Sequence, residues 1–286
     1  MEFAASNVEE QLEKQARLPV NNKMKPLNPT HYALAAILAC LSFNSQATLV
    51  TYDFTSGGSS STANTYGFGN SLTFADIDGD NSLSENLTIT AWGSTGPDQG
   101  TGAWGDSLET GEIYRWSTGL GACNQAEGSV GSYFGCNIYQ HQVDNYSYDD
   151  LVLFVFDYDV TFDNIVIDPY FFTDVDVTFW IGSITNSDLT GLDDVTLLSI
   201  GGFGDPVDNT FYGTTSSPQT IDLLGSVGNA LLIGGQRDQG DPDDDDYFKI
   251  ASLSVETTVV PVPAAVWLFG SGLLAMVGVA RRKQQQ

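Results

Sequence analysis

Two stretches of the chain concentrate carboxylates closely enough to do chemistry. Asp238-Gln239-Gly240-Asp241-Pro242-Asp243-Asp244-Asp245-Asp246 places six aspartates within nine residues. Such a run repels itself and ordinarily stays solvated. Held between two strands, it is relieved by a bound cation. Hard oxygen ligands point to calcium, with Asp241, Asp243, Asp244, Asp245 and Asp246 as candidate ligands. Asp144, Asp149 and Asp150 could join them from another loop, which the sequence cannot place.

The second stretch is Asp76-Ile77-Asp78-Gly79-Asp80-Asn81-Ser82-Leu83-Ser84, which resembles a calcium loop of the dockerin kind. Oxygens alternate at Asp76, Asp78, Asp80 and Ser82, and Gly79 allows the turn. The twelfth position, where an acid should clamp the ion, is Leu87, and Asn81 stands where a glycine is usual. A polar hairpin turn competes with the metal reading here, and these departures favour the turn.

Catalysis finds little support. His141 is the only histidine outside the N-terminal export segment, so a His-rich zinc centre is excluded and a Ser–His–Asp triad would have to use it. No G-x-S-x-G elbow is present. Two carboxylates suffice for glycoside hydrolysis, but nothing singles out a pair. The expectation is a protein with no catalytic residue and His141 as a structural hydrogen-bonder. Aromatic residues (Trp92, Trp104, Trp116, Tyr133, Phe134, Tyr139, Tyr146, Tyr148) could stack on sugar faces, although core packing is their commoner use.

Charge is sharply sectional. Residues 48–258 hold three basic residues, Arg115, Arg237 and Lys249, against 32 acids, a net of −29. A domain of that sign repels nucleic acid and anionic lipid, leaving cations, neutral glycans or basic protein patches as partners.

The elements that must position these groups read as β. Val175, Val177, Phe179 and Ile181 alternate with Asp176 and Thr178, one face apolar and one polar. Leu151–Phe156 is a continuous apolar run suited to a strand buried on both faces. Further strands are expected at Thr48–Phe54, Ser71–Phe74, Leu87–Trp92, Glu112–Trp116, Val160–Ile167, Val195–Ile200, Ala230–Ile233 and Tyr247–Val255, with long loops through 94–146. No sustained helical period occurs in 48–258, so a single all-β sandwich or jelly-roll-like domain is expected there. Cys123 and Cys136 in the loop region are expected to pair as a disulfide in an oxidising compartment. The chain-entropy model gives about 3 kcal/mol for such a loop.

The chain ends read as addresses. Met24 opens a segment with Lys25, an apolar stretch Tyr32–Phe43, and small residues before a cut between Ala47 and Thr48. Residues 24–47 are thus expected to be a signal peptide, and 1–23 a non-native or extended N-terminus. Ile37-Leu38-Ala39-Cys40 superficially resembles a lipoprotein processing site, but Leu38 is atypical there and Cys40 reads as part of the apolar region. Residues 259–286 carry prolines, an uncharged run Ala264–Ala280 and a basic tail 281–283. The run is ~25 Å long as a helix, at the short limit for a membrane span. The tail sets it with the basic end in the cytoplasm.

Pro261-Val262-Pro263, Trp267, Gly270, Gly272 and Arg281-Arg282-Lys283 together resemble the PEP-CTERM sorting signal in its VPxPA variant. The resemblance implies export from a Gram-negative cell, an inner-membrane intermediate processed by an exosortase, and final placement at the surface or in an exopolysaccharide matrix. The blocks around His141–Phe154 and Asn229–Ile250 are likewise similar to exosortase-dependent surface proteins. The expected function is a non-catalytic exported surface or matrix protein. The alternative is an exopolysaccharide-binding module, calcium-dependent or not, and a carbohydrate-active hydrolase comes third.

Overall fold

The computed structural model describes residues 47–65, 67–75, 86–96, 107–126, 142–145, 148–169, 175–193, 196, 201–209, 216–236 and 246–258. Residues Ser45–Val260 form one compact unit. The unit is all-β, its strands joined in one continuous sheet. The first half of the chain supplies β1 (Ala47–Asp53), β2 (Thr62–Ala63), β3 (Ser71–Phe74), β4 (Leu87–Ser94), β5 (Leu108–Thr110), β6 (Tyr114–Trp116), β7 (Gly119–Gly121) and β8 (Val143–Asp144). The second half supplies β9 (Asp150–Pro169), β10 (Val177–Gly182), β11 (Val207–Asn209), β12 (Gln219–Asp222), β13 (Val227–Gly235) and β14 (Tyr247–Thr258).

Strand β9 organises both layers. Its first part, through Phe156, lies between β4 and β13, whereas the part from Thr161 onward lies between β14 and the pair β12 and β13. The change-over falls at exposed Asp157, Tyr158 and Asp159, and β13 absorbs it with a register shift between Gly228 and Ala230. The sequence suggests two strands here, Leu151–Phe156 and Val160–Ile167. The structure joins them, because the polar residues between them mark a bend and not a turn.

The sheet folds over so that β1 faces strands to which it is not hydrogen-bonded. Phe54 packs on Phe154 with ring centroids 5.6 Å apart, and Tyr52 meets Phe156 at 5.8 Å and Phe74 at 6.2 Å. Val152, Phe154, Phe156, Leu231, Ile233, Leu253 and Val255 join this core. This is the layered arrangement of a β-sandwich.

The intervening residues of the central strands face outward and are buried as well. Leu151, Leu153, Trp180, Ala230 and Leu232 form a second apolar cluster with Trp92 and Leu108. Residues 183–193 and 201–206, together the strap, cover it with Ile184, Leu189 and Phe203. Asn229 holds the strap, accepting from the Ile184 N–H at 2.7 Å and donating to its carbonyl at 3.0 Å. Backbones meet closely where the strap returns: a Cβ on Gly182 would lie 2.2 Å from the Gly202 carbonyl oxygen.

The run Leu151–Phe156 is therefore enclosed on both faces except for half-buried Val155, as its continuous apolarity suggests. The polar face expected opposite Val177 and Phe179 is not exposed: Thr178 and Trp180 are both fully buried, since the strap covers that side. Strand β6 falls within the expected strand Glu112–Trp116, and β5, β7 and β8 replace part of the loop region expected through 94–146. Of the expected strand Val195–Ile200, only Thr196 is among the described residues. Its N–H donates to Asp193 Oδ1 and its Oγ1 accepts from the Asp193 N–H, a local turn. Among the described residues no helix is long and apolar enough to cross a membrane, and the expected span Ala264–Ala280 lies outside them.

The loop between β12 and β13, which follow one another along the same edge of β9, passes through Leu224 (φ 61°) and Gly225 (φ 62°), both left-handed. The Leu224 N–H is held by Asp222 Oδ1 at 2.7 Å, while its side chain is 70% exposed. Leucine is costly in that conformation and asparagine much less so. Leu224→Asn should raise unfolding stability by about 1 kcal/mol, read from urea denaturation; a loss of stability would show that the exposed leucine has a packing role.

Candidate functional site

The acidic stretch 238–246 links β13 to β14, and the structure describes its two roots. Gly235 pairs with Val177 and Gly234 with Leu151, so the end of β13 meets the starts of β10 and β9. Tyr247 pairs with Asp144, which brings β8 to the start of β14.

Asp246 is buried at this junction, 2% exposed. Its Oδ2 accepts from Asn145 Nδ2 at 3.0 Å and from the Gln236 N–H at 3.1 Å, and its Oδ1 accepts from the Asp176 N–H. Asn145 completes the arrangement by accepting from the Asp246 N–H at 2.7 Å and donating to the Gln236 carbonyl at 3.0 Å. Charge-assisted bonds to backbone N–H groups are about twice as strong as neutral ones. The pair forms a clasp that brings Gln236 and Asp246 together and closes the acidic loop at its base.

The clasp defines what Asp246 does: its carboxylate anchors the loop and both oxygens are occupied by protein donors. Asp241, Asp243, Asp244 and Asp245, with Asp76, Asp78 and Asp80, lie outside the described residues, as does His141. Among the described residues no group of three or more His, Cys, Asp or Glu side chains is placed to hold a metal ion. Asp144, Asp149 and Asp150 are buried near the clasp. Asp149 takes part through its backbone, its N–H donating to Ser94 Oγ at 2.9 Å. Cys123 is fully buried, and Cys136 lies outside the described residues.

The aromatic candidates separate clearly. Trp92 belongs to the second core and presents no platform. Trp116 is half-buried on β6, 6.5 Å from the Tyr114 ring, and the Lys249 ammonium lies 5.3 Å from its ring centroid. Trp104, Tyr133, Phe134, Tyr139 and Tyr146 are outside the described residues. Lys249 is the cross-strand partner of Asp168. Burial lowers the Lys249 pKa, and the Asp168 charge partly opposes this. Burial raises the pKa of Asp168, against the pull of Lys249 and a hydrogen bond from Thr118.

A further cleft of about 320 Å³ opens on the strap, lined by Thr185, Asn186, Asp188, Thr190, Leu192 and Gly201. Asp188 there is held below the usual carboxylate range by the side-chain and backbone hydrogen bonds of Thr190. Nothing in the sequence marks this cleft, because its polar residues look like an ordinary loop.

The class defined so far is an all-β sandwich with a clasped acidic loop. No protein-family model and no curated protein matches the chain. A solved structure described as the family 32 carbohydrate-binding module of C. perfringens NanJ, in complex with galactose, is 13% identical with a TM-score of 0.26. The match covers 59% of this chain and 93% of that one. At that score the likeness carries no argument about ligand or activity.

Two predictions follow from this geometry. Asp246→Ala removes one acceptor from the Asp176 N–H, the Gln236 N–H and the Asn145 amide. Gln236 keeps the Asp176 carbonyl and Asn145 the Gln236 carbonyl, so the change should cost about 2 kcal/mol. Limited proteolysis within 237–245 should accelerate in parallel, and a change below 1 kcal/mol would remove the clasp from the account. Lys249, with its lowered folded pKa, binds its proton less tightly folded than unfolded. Its charge therefore opposes folding at neutral pH, and stability should climb as pH rises from the lowered value towards the ordinary lysine range near ~10.4. Lys249→Met should abolish that alkaline rise in pH-dependent denaturation.

Proposed function

We propose that this chain is an exported, non-catalytic surface or matrix protein, cut between Ala47 and Thr48 and processed by an exosortase at the Pro261-Val262-Pro263 segment. One observation carries the reading most directly: β1 and β14 are hydrogen-bonded neighbours, with Ala47 opposite Thr258. The residue at the proposed export cut and the last described residue before the proposed sorting segment thus leave the sheet side by side. The clasped acidic loop begins at the other end of β14, and twelve strand residues carry it roughly 40 Å away. In this reading the domain is held at one end and shows its carboxylates at the other. The Cys123–Cys136 disulfide belongs to the same proposal, as does the Gram-negative inner-membrane intermediate.

The second reading is an exopolysaccharide-binding module, and the cleft at Thr185, Asn186, Asp188 and Thr190 favours it. Hydroxyl, amide and carboxylate groups around a small concavity are the groups that hydrogen-bond sugar hydroxyls. Calcium at the acidic loop would add cation bridging to acidic polysaccharide.

One experiment addresses both readings. The full chain and a version lacking 259–286 are expressed in the producing cell, and each is fractionated between membrane, surface matrix and medium. The sorting proposal expects the truncated form in the medium with its fold unchanged, and it fails if both forms partition alike. Retention of the released protein on the cell's own polysaccharide, lost with EDTA or with Asp188→Ala, supports the glycan reading; no retention in any condition removes it.

A further inference from the structure

The cleft on the strap has an uneven stock of hydrogen-bonding groups. The Asp188 N–H donates to Asn186 Oδ1 at 3.1 Å, and Asn186 Nδ2 donates to the Asp188 carbonyl at 3.4 Å. The Thr190 N–H donates to Asp188 Oδ1 at 3.0 Å, and the Thr190 hydroxyl bonds to the same carboxylate. Thr190 thus spends its hydroxyl hydrogen and presents lone pairs, while Asn186 turns its amide back on the chain. A carboxylate has room for about four donors, and Thr190 fills two places on Asp188. Acceptors are therefore in surplus, and among the described lining side chains only Thr185 keeps its hydroxyl wholly uncommitted. Leu192, half-buried and packed on the second apolar cluster, adds a firm apolar patch.

The surroundings set the sign of the ligand. Between His141 and Arg237 the chain holds fifteen aspartates and no basic residue. A cleft in such a field concentrates cations and repels carboxylates. A hard metal ion asks for six to eight oxygens. Asp188 is the one carboxylate among the described lining residues, which is too little for such an ion. A primary ammonium asks less: it has three donors and no acceptor, the complement of a cleft rich in acceptors. A neutral hydroxyl needs a protein donor as well as an acceptor, and here donors are scarce.

We infer that the strap cleft takes a hexosamine unit with a free, protonated amine, its ammonium on Asp188 and Thr190 Oγ and its C–H face on Leu192. This assignment rests on the exopolysaccharide-binding reading and names the sugar which that reading leaves open. The volume, about 320 Å³, lies at the small end for ligand sites and suits a sugar unit. A lysine side chain offers the same ammonium, but it leaves the Thr185 hydroxyl and the Asn186 amide without partners. Asp188 keeps its charge, because the bonds from Thr190 hold its carboxyl below the usual range. It is also exposed to solvent, so each site binds weakly and the affinity falls with salt.

Binding of the full-length chain to immobilised probes tests this at mildly acidic pH and low salt. The probes are a glucosamine tetramer, the same tetramer N-acetylated, and a tetralysine peptide of matching charge. The glucosamine tetramer should bind about tenfold more tightly than its acetylated form. Asp188→Asn should remove most of that preference with an unchanged circular dichroism spectrum, since asparagine still accepts from the Thr190 N–H. Glu256→Gln, which alters an exposed acid on β14 outside the cleft, should leave the preference as it is. Equal losses from the two variants would trace the binding to the acidic surface as a whole and overturn the inference. Tetralysine held as tightly as the glucosamine tetramer would overturn it too. Equal or tighter binding of the acetylated tetramer rejects the free amine and leaves the exopolysaccharide reading standing. Binding of neither tetramer also rejects the inference, while that reading is judged separately by retention on the cell's own polymer.

Discussion

Everything in the domain depends on enclosing β9. A strand with Leu151, Leu153, Val152, Phe154 and Phe156 on alternate faces must be covered twice, and its backbone must be paired on both edges. The sheet supplies one cover by folding β1 and β14 across the inner face. The strap supplies the other by laying Ile184, Leu189 and Phe203 on the outer one. The exposed bend at Asp157–Asp159 lets the same strand serve both layers, so neither layer can assemble without it.

Much of this architecture is written in the residues. The apolar run 151–156 announces burial on both sides, and the alternation at Val175–Ile181 announces a strand. That alternation misleads about Thr178, because the strap that follows β10 folds back over the face and carries no periodicity that announces it. Short strands such as β7 and β8 are invisible because two or three residues carry no period. The clasp is hidden for a different reason. Asn70, Asn145 and Asn229 each use a side-chain amide to imitate a neighbouring strand, accepting from one backbone N–H and donating to a carbonyl. Asparagine usually signals a turn, and nothing local distinguishes these three. For the acidic stretch, composition reveals the carboxylates but not that Asp246 is committed to the fold.

The scarcity of cations gives the two described ones unusual weight. Arg115 spends its guanidinium on the carbonyls of Asp53, Phe54 and Thr55 and on Ser61 Oγ, with Phe74 beneath it at 5.6 Å. Lys249 sits on Trp116 beside Asp168. Arg115 ties neighbouring backbone carbonyls together, Lys249 packs on a ring, and neither lies free on the acidic surface. The negative field of the domain is therefore left intact for whatever approaches it.

The adjacency of β1 and β14 has a mechanical side. A pull on the chain beyond Thr258 runs along β14, which is flanked through much of its length by antiparallel β1 and β9. Load applied in that direction shears many backbone hydrogen bonds at once instead of opening them one by one. A domain held by this terminus would resist drag through its longest hydrogen-bonded seams. The acid-bearing end, at the far limit of the same strand, would be the last part to feel the strain.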